Sequence, residues 1–240
     1  MQKKTAHRCF LNIISNALLF LLIIFSVAMN KAMDDQKTTG KVHSYLALGD
    51  SYTIGEQVAA KENFPNQAVA ILKENGVEFS APQIIAQTGW TTDELQNAIN
   101  NATIKTSYDL VTLLIGVNNQ YRGRSLENYM PEFESLLKQA IYFAGNDTAR
   151  VIVLSIPDWG VTPFAKDRDR TQIAKEIDAY NLVNENISKK YNVHYVNITP
   201  GTREAANDAS LLAADGLHPS GKEYEKWATQ VAHLISKYFN

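Results

Sequence analysis

The sequence predicts an α/β fold, a parallel β-sheet covered on both faces by helices. Five apolar runs of four to six residues alternate with longer amphipathic segments along the chain. Three of the runs are rich in Val and Ile, the composition of strands buried on both faces. Strands separated by helices form right-handed βαβ units, which lay the strands parallel.

The elements follow in order. A first strand is expected at Tyr45–Leu48, ending just before Gly49-Asp50-Ser51. The helix over Phe64–Glu74 has Pro65 in its first turn, where a missing N–H costs nothing, and Gly76 after Asn75, where a helix should stop. A strand at Gln83–Ala86 leads to a helix at Thr92–Asn100, and a strand at Leu110–Ile115 to a long helix at Ser125–Phe143. The last units are a strand at Val151–Ser155, a helix at Thr171–Lys190, a strand at Val193–Asn197 and a helix from Ser220 to Tyr238. Ser220 is a natural N-cap for that final helix.

Residues 1–33 read differently. Lys3, Lys4 and Arg8 precede the apolar stretch from Ala17 to Phe25, which runs on through Ser26-Val27-Ala28. A basic start, about a dozen apolar residues and small residues at the end make a secretory signal peptide, cut after Ala28 or nearer Ala32. The rivals are an uncleaved membrane anchor, lengthened by Phe10 to Ile14, and a buried helix of the fold. Asn12, Ser15 and Asn16 interrupt that extension, and a span needs roughly 20 apolar residues. The expectation is an exported protein, periplasmic or secreted, held at a membrane only if the segment stays. Cys9 precedes the apolar core, which disfavours a lipid-anchored lipoprotein, and residues 34–240 hold no cysteine and hence no disulfide.

Residues 34–240 are expected to form one globular domain large enough to build its own core. The whole chain carries 23 basic and 25 acidic residues; without residues 1–33 the balance is 19 to 25, a net charge of −6. Both signs are scattered along the chain, so nothing supplies the basic face that nucleic-acid binding requires.

Chemistry gathers where predicted strands end, the edge at which parallel sheets carry their sites. Ser51 follows the first strand. Far downstream, Asp215-Gly216-Leu217-His218-Pro219 puts a carboxylate three residues before a histidine, close enough to reach Nδ1 while Nε2 points out of the loop. A serine needs an imidazole to take its proton, and the imidazole works best when a carboxylate fixes its tautomer. Each residue also has a plain reading: Ser51 as a helix cap, Asp215 as a turn cap, His218 as a loop residue. The other histidines are placed worse, with His7 in the export segment, His43 before the first strand, His194 inside a strand and His233 inside a helix. Gly89 can present an unobstructed backbone N–H, and Asn118 a side-chain amide at the end of the third strand. Those are the donors a developing oxyanion needs, although a turn glycine and a strand-end cap would look the same. No His-Glu-x-x-His or His/Cys cluster marks a metal site.

Taken together, Gly49-Asp50-Ser51, Gly89, Gly116-Val117-Asn118 and Asp215-Gly216-Leu217-His218 resemble, in order, the four blocks of the SGNH (GDSL) hydrolase family, from about Tyr45 to the C-terminus. The resemblance implies a flavodoxin-like three-layer α/β/α sandwich with five parallel strands. It implies Ser51 as nucleophile, His218 as general base and then acid, and Asp215 as its orienting partner. The Ser51 and Gly89 N–H groups and the Asn118 amide would form the oxyanion hole, and no cofactor is implied. Asp50 reads as a packing and hydrogen-bonding residue. The serine lies near the start of the domain, unlike a Gly-x-Ser-x-Gly elbow, so the α/β-hydrolase fold is not implied. One departure stands out: Val117 and Asn119 flank Asn118 where many members have a glycine and an aspartate, which predicts a different pocket wall.

The expected activity is ester hydrolysis, lysophospholipase- or thioesterase-like, with carbohydrate O-acetyl esterase as the alternative and a silent lipid- or glycan-binding protein as a third reading. Trp90, Tyr121 with Arg122, and Trp159 with Phe164 fall on the active-site edge as candidate substrate contacts, or as ordinary packing. The mixed charges of Pro157–Arg170, among them Asp158, read as a solvated surface.

Overall fold

The computed structural model describes residues 41–239, so the segment 1–33 lies outside the described residues. Five strands, β1 (Tyr45–Asp50), β2 (Gln83–Gln87), β3 (Leu110–Leu114), β4 (Val151–Leu154) and β5 (His194–Val196), form one sheet in the order β2-β1-β3-β4-β5. Every pairing is parallel, and Leu48 stands between Ile85 on one side and Leu113 on the other. This is the flavodoxin-like order, in which the direction of winding reverses at β1. The crevice beyond the carboxyl ends of β1 and β3 is where such sheets place ligands.

β1, β3 and β4 are buried along their whole length, whereas the edge strands β2 and β5 are half-exposed. That difference explains why the two outer runs read less apolar. β1 is two residues longer than expected because Gly49 and Asp50 pair with Ala86 and Gln87, extending the ladder through residues with no apolar signal. β5 is shorter at both ends. The Val193 N–H closes the preceding helix on Ser188 O (3.1 Å), and the Asn197 carboxamide turns to Ser155 Oγ (3.1 Å).

The helices are α1 (Ser51–Ile54), α2 (Phe64–Glu74), α3 (Thr92–Asn101), α4 (Val117–Tyr121), α5 (Leu126–Phe143), α6 (Arg170–Lys190), α7 (Thr199–Arg203) and α8 (Gly221–Ser236). α2 and α8 pack together through Phe64 and Trp227, whose ring centres are 6.2 Å apart. α5 and α6 meet through Tyr129 and Tyr180 at 4.5 Å, and α3 joins α5 through Gln96 and Gln139. Phe64, Trp227, Tyr129, Phe133 and the leucines of β1 and β3 are all essentially fully buried. α1, α4 and α7 have only four or five residues, too few to print a helical period on the sequence.

Ser220 occupies the N-cap position of α8 but does not cap it through its side chain. Its hydroxyl donates to Ser210 O (2.7 Å) and its N–H to Leu211 O (2.8 Å), while Leu212 bridges to Pro219. The serine therefore fastens shut the loop that carries Asp215 and His218. Asp158 is likewise not part of a solvated surface. It is 1% exposed, pairs with Arg203 Nε at 2.8 Å and accepts the Gly160 N–H, while Lys166 to Arg170 are exposed as expected.

Candidate active site

Ser51 is the first residue of α1, delivered by β1 through a turn that only certain residues permit. A Cβ on Gly49 would lie 2.1 Å from Thr53 Oγ1 and 2.4 Å from Leu114 O, so β1 can run this close to β3 only with glycine there. Asp50 caps α1 by accepting the Tyr52 N–H at 3.0 Å. Ser51 Oγ has no hydrogen-bond partner among the described residues, which leaves the hydroxyl free to turn.

Burial pushes the Asp50 carboxyl up to about 7, against the Tyr52 N–H and the Asn118 amide, which pull it down. The folded chain thus holds a proton that the unfolded chain releases in the window from about pH 4 to about pH 7, so this group makes stability fall as pH rises through that window. Asp50→Asn, neutral throughout, should flatten the dependence of Tm on pH there. Equal slopes for variant and wild type would show that Asp50 is ionised at all these pH values.

The oxyanion candidates meet at the same crevice. Gly89 follows β2 with φ +85°, a conformation that glycine adopts without strain, and its N–H carries no hydrogen bond among the described residues. Asn118 lies in the first turn of α4, directly beyond β3, and its amide donates to Trp90 O (3.0 Å) and, more weakly, to Asp50 Oδ2 (3.4 Å). The altered flank of Asn118 divides in two. Val117 faces the pocket, but Asn119 is buried against the start of α3, where it accepts the Thr92 N–H (3.1 Å) and donates to Thr92 Oγ1 (2.7 Å).

His218 is 7% exposed. Its Nδ1 lies 2.6 Å from Asp215 Oδ2, and Asp215 Oδ1 accepts the N–H groups of Leu217 and His218 at 3.0 Å each. Partial burial by itself would raise the Asp215 carboxyl. The hydrogen bonds from His218 and the two backbone donors outweigh it and hold the group below the ordinary carboxylate range. With Nδ1 committed to Asp215, Nε2 is the nitrogen left for a substrate-side proton. The Tyr52 ring packs 5.0 Å from the imidazole.

Ser51, Gly89, Asn118 and His218 all line one pocket of about 150 Å³. Its wall is mainly apolar, from Val117, Tyr121, Trp159, Phe164 and Leu217, with Tyr52 and Thr88 completing it. Trp159 is buried, its indole N–H bonded to Gln120 Oε1 (2.7 Å), and the half-exposed Tyr121 and Phe164 rings stand over it at 5.3 and 5.9 Å. Trp90 does not line the pocket: its ring packs partly buried against the core, and it meets the site through its carbonyl. Val117 lines the wall, as its place beside Asn118 predicted, whereas Tyr52, Thr88 and Leu217 were not singled out, yet each is a sequence neighbour of a motif residue. That adjacency was the available signal. Among the described residues no group of three or more His, Cys, Asp or Glu is placed to hold a metal ion, and no helix is long and apolar enough to cross a membrane.

The profile of the GDSL-like lipase/acylhydrolase family matches residues 47–226. No curated protein matches the chain. Among solved structures, a lipase/acylhydrolase from Enterococcus faecalis aligns at 22% identity over 83% of this chain and 98% of its own, with a TM-score of 0.61. The acetylxylan esterase Axe2 from Geobacillus stearothermophilus aligns at 19% identity over 82% and 95%, with a TM-score of 0.63. TesA aligns at 16% identity over 82% and 99%, with a TM-score of 0.62. At these identities the likeness concerns the fold.

Proposed function

The chain belongs to the GDSL-like lipase/acylhydrolase family and is an ester-hydrolysing serine hydrolase, and from that premise we propose that Ser51, His218 and Asp215 are its catalytic triad. The observation that carries the assignment is the 2.6 Å Asp215–His218 contact on the wall of the pocket that Ser51, Gly89 and Asn118 share. Ser51 Oγ attacks the ester carbonyl while His218 Nε2 takes its proton. The carbonyl oxygen, now negative, accepts hydrogen bonds from the Ser51 and Gly89 N–H groups and from the Asn118 amide, which gives up its weak 3.4 Å contact with Asp50 to do so. His218 returns the proton to the leaving alcohol, and water repeats the sequence on the acyl-enzyme. Below about pH 7 a protonated Asp50 spares the site an extra negative charge beside the oxyanion.

For the substrate, the pocket wall supports a lysophospholipase- or thioesterase-like esterase that binds the acyl chain on Trp159. A pocket of about 150 Å³ has room for a benzene-sized group, so the scissile ester and the first few carbons of the acyl chain fit inside. A longer chain continues over Tyr121 and Phe164. Those two exposed rings also favour the second reading, a carbohydrate O-acetyl esterase, because they can stack on a sugar while the acetyl group takes the pocket. The basic-then-apolar start of the chain supports export, periplasmic or secreted, with the ester substrate met outside the cytoplasm and near a membrane if the segment is retained.

A panel of p-nitrophenyl acetate, butyrate, octanoate and palmitate, with the Ser51→Ala chain as blank, separates the two. The first reading expects kcat/KM to rise from acetate to the medium chains. A steep preference for acetate would reject it in favour of carbohydrate deacetylation.

A further inference from the structure

We propose that Arg122 is a positioning residue of the oxyanion hole, anchoring the loop after β2 by the Gly89 carbonyl, on the far side of the Cα from the N–H that would face the substrate. The inference rests on the reading of Gly89 and Asn118 as oxyanion donors. It adds a residue that the four motif blocks leave out.

Arg122 caps the C-terminus of α4, four residues beyond Asn118, so the two side chains leave the same helix face one turn apart. They grip consecutive carbonyls of the loop after β2. The Asn118 amide donates to Trp90 O at 3.0 Å, and Arg122 Nη2 donates to Gly89 O at 2.6 Å. The N–H and the carbonyl of Gly89 lie on adjacent peptide units that pivot on a Cα with φ +85°, where glycine resists rotation least, so anchoring the carbonyl side removes one of the two motions by which the N–H could turn away. The guanidinium is itself braced. Nη1 donates to Glu94 Oε1 at 3.2 Å, and the other Glu94 oxygen accepts the Thr91 N–H at 2.9 Å, at the N-cap of α3. One planar fork thereby ties α4, the Gly89 carbonyl and the start of α3 together, which a lysine cannot do with a single point charge. The Arg122–Glu94 pair is well exposed, 42% and 38%, and such pairs add little to stability, so removing Arg122 should disturb the loop and spare the fold.

The test uses neutral p-nitrophenyl butyrate. Arg122→Ala should lower kcat about 10-fold, short of the ~10²–10³ that deleting a donor outright costs. KM should stay within about twofold, because the donors act on the oxyanion more than on the ground state. Arg122→Lys should fall between, and added guanidinium ion should restore part of the lost kcat in Arg122→Ala but add nothing to wild type. An unchanged kcat overturns the inference. So does a loss confined to KM for esters with anionic head groups, which would make Arg122 a substrate-binding cation instead. If the wild-type chain shows no Ser51-dependent turnover, the reading of the site fails and takes this inference with it. If wild type is active and Arg122→Ala matches it, only the inference fails.

Discussion

Ser51→Ala should abolish ester hydrolysis, with kcat down on the order of 10⁶-fold, the loss seen when a triad nucleophile is removed. The size follows from the arrangement. Without an oxygen to attack the carbonyl, His218 and Asp215 have no proton to move, and only the oxyanion donors and the pocket remain to favour the reaction. His218→Ala should cost a similar factor, and the double variant should be little worse than either, since residues that act as a unit lose their effect together. The fold should not suffer. Ser51 Oγ has no hydrogen-bond partner among the described residues, so its removal orphans no group, and the cap of α1 rests on Asp50. The measurement is steady-state turnover on butyrate beside a thermal melt, with stoichiometric fluorophosphonate labelling expected of wild type alone. A variant that keeps its Tm and retains more than about a hundredth of wild-type kcat would remove Ser51 as nucleophile.

The sequence revealed most where local chemistry and global role coincide. Gly49-Asp50-Ser51 could be read because the close approach of β1 to β3, the cap of α1 and the candidate nucleophile fall on three consecutive residues. The sheet was legible at β3 and β4, whose burial on both faces demands continuous apolar runs, and less so at β5, where a half-exposed edge tolerates His194. What stayed hidden depends on contacts between distant segments. Ser220 carries the local signature of a cap, but its hydroxyl is claimed by Ser210 O across the loop. Asp158 shares a loop with the alternating charges of Lys166 to Arg170, and only the fold brings Arg203 to it across 45 residues. Trp90 stands beside Gly89 in sequence, yet Gly89 lines the pocket while the tryptophan ring lies against the core. Arg122 could be located at the site edge from the order of elements, but its partner, the Gly89 carbonyl, is 33 residues away.

Asp215→Asn should keep the geometry of the site and lose its chemistry, with kcat falling about 10⁴-fold. The carboxamide oxygen can still accept the Leu217 and His218 N–H groups that Asp215 Oδ1 accepts now. The carboxamide nitrogen then faces His218 Nδ1, where a carboxylate oxygen stood at 2.6 Å. A donor there makes Nδ1 the acceptor and moves the imidazole proton to Nε2, the nitrogen that must receive the proton of Ser51. The carboxylate also offsets the positive charge that His218 gains as the tetrahedral intermediate forms, and a neutral carboxamide does not. Stability offers a second readout with a definite sign. The Asp215 carboxyl is held below its ordinary range in the folded chain, so its contribution is present above the unfolded value and is lost as pH falls through the folded one. The Tm gap between wild type and Asp215→Asn should therefore be widest near neutrality and close in acid. Turnover within about tenfold of wild type, or a gap that widens in acid, would refute the tautomer-fixing role and leave Asp215 as the turn cap that its two backbone hydrogen bonds already make it.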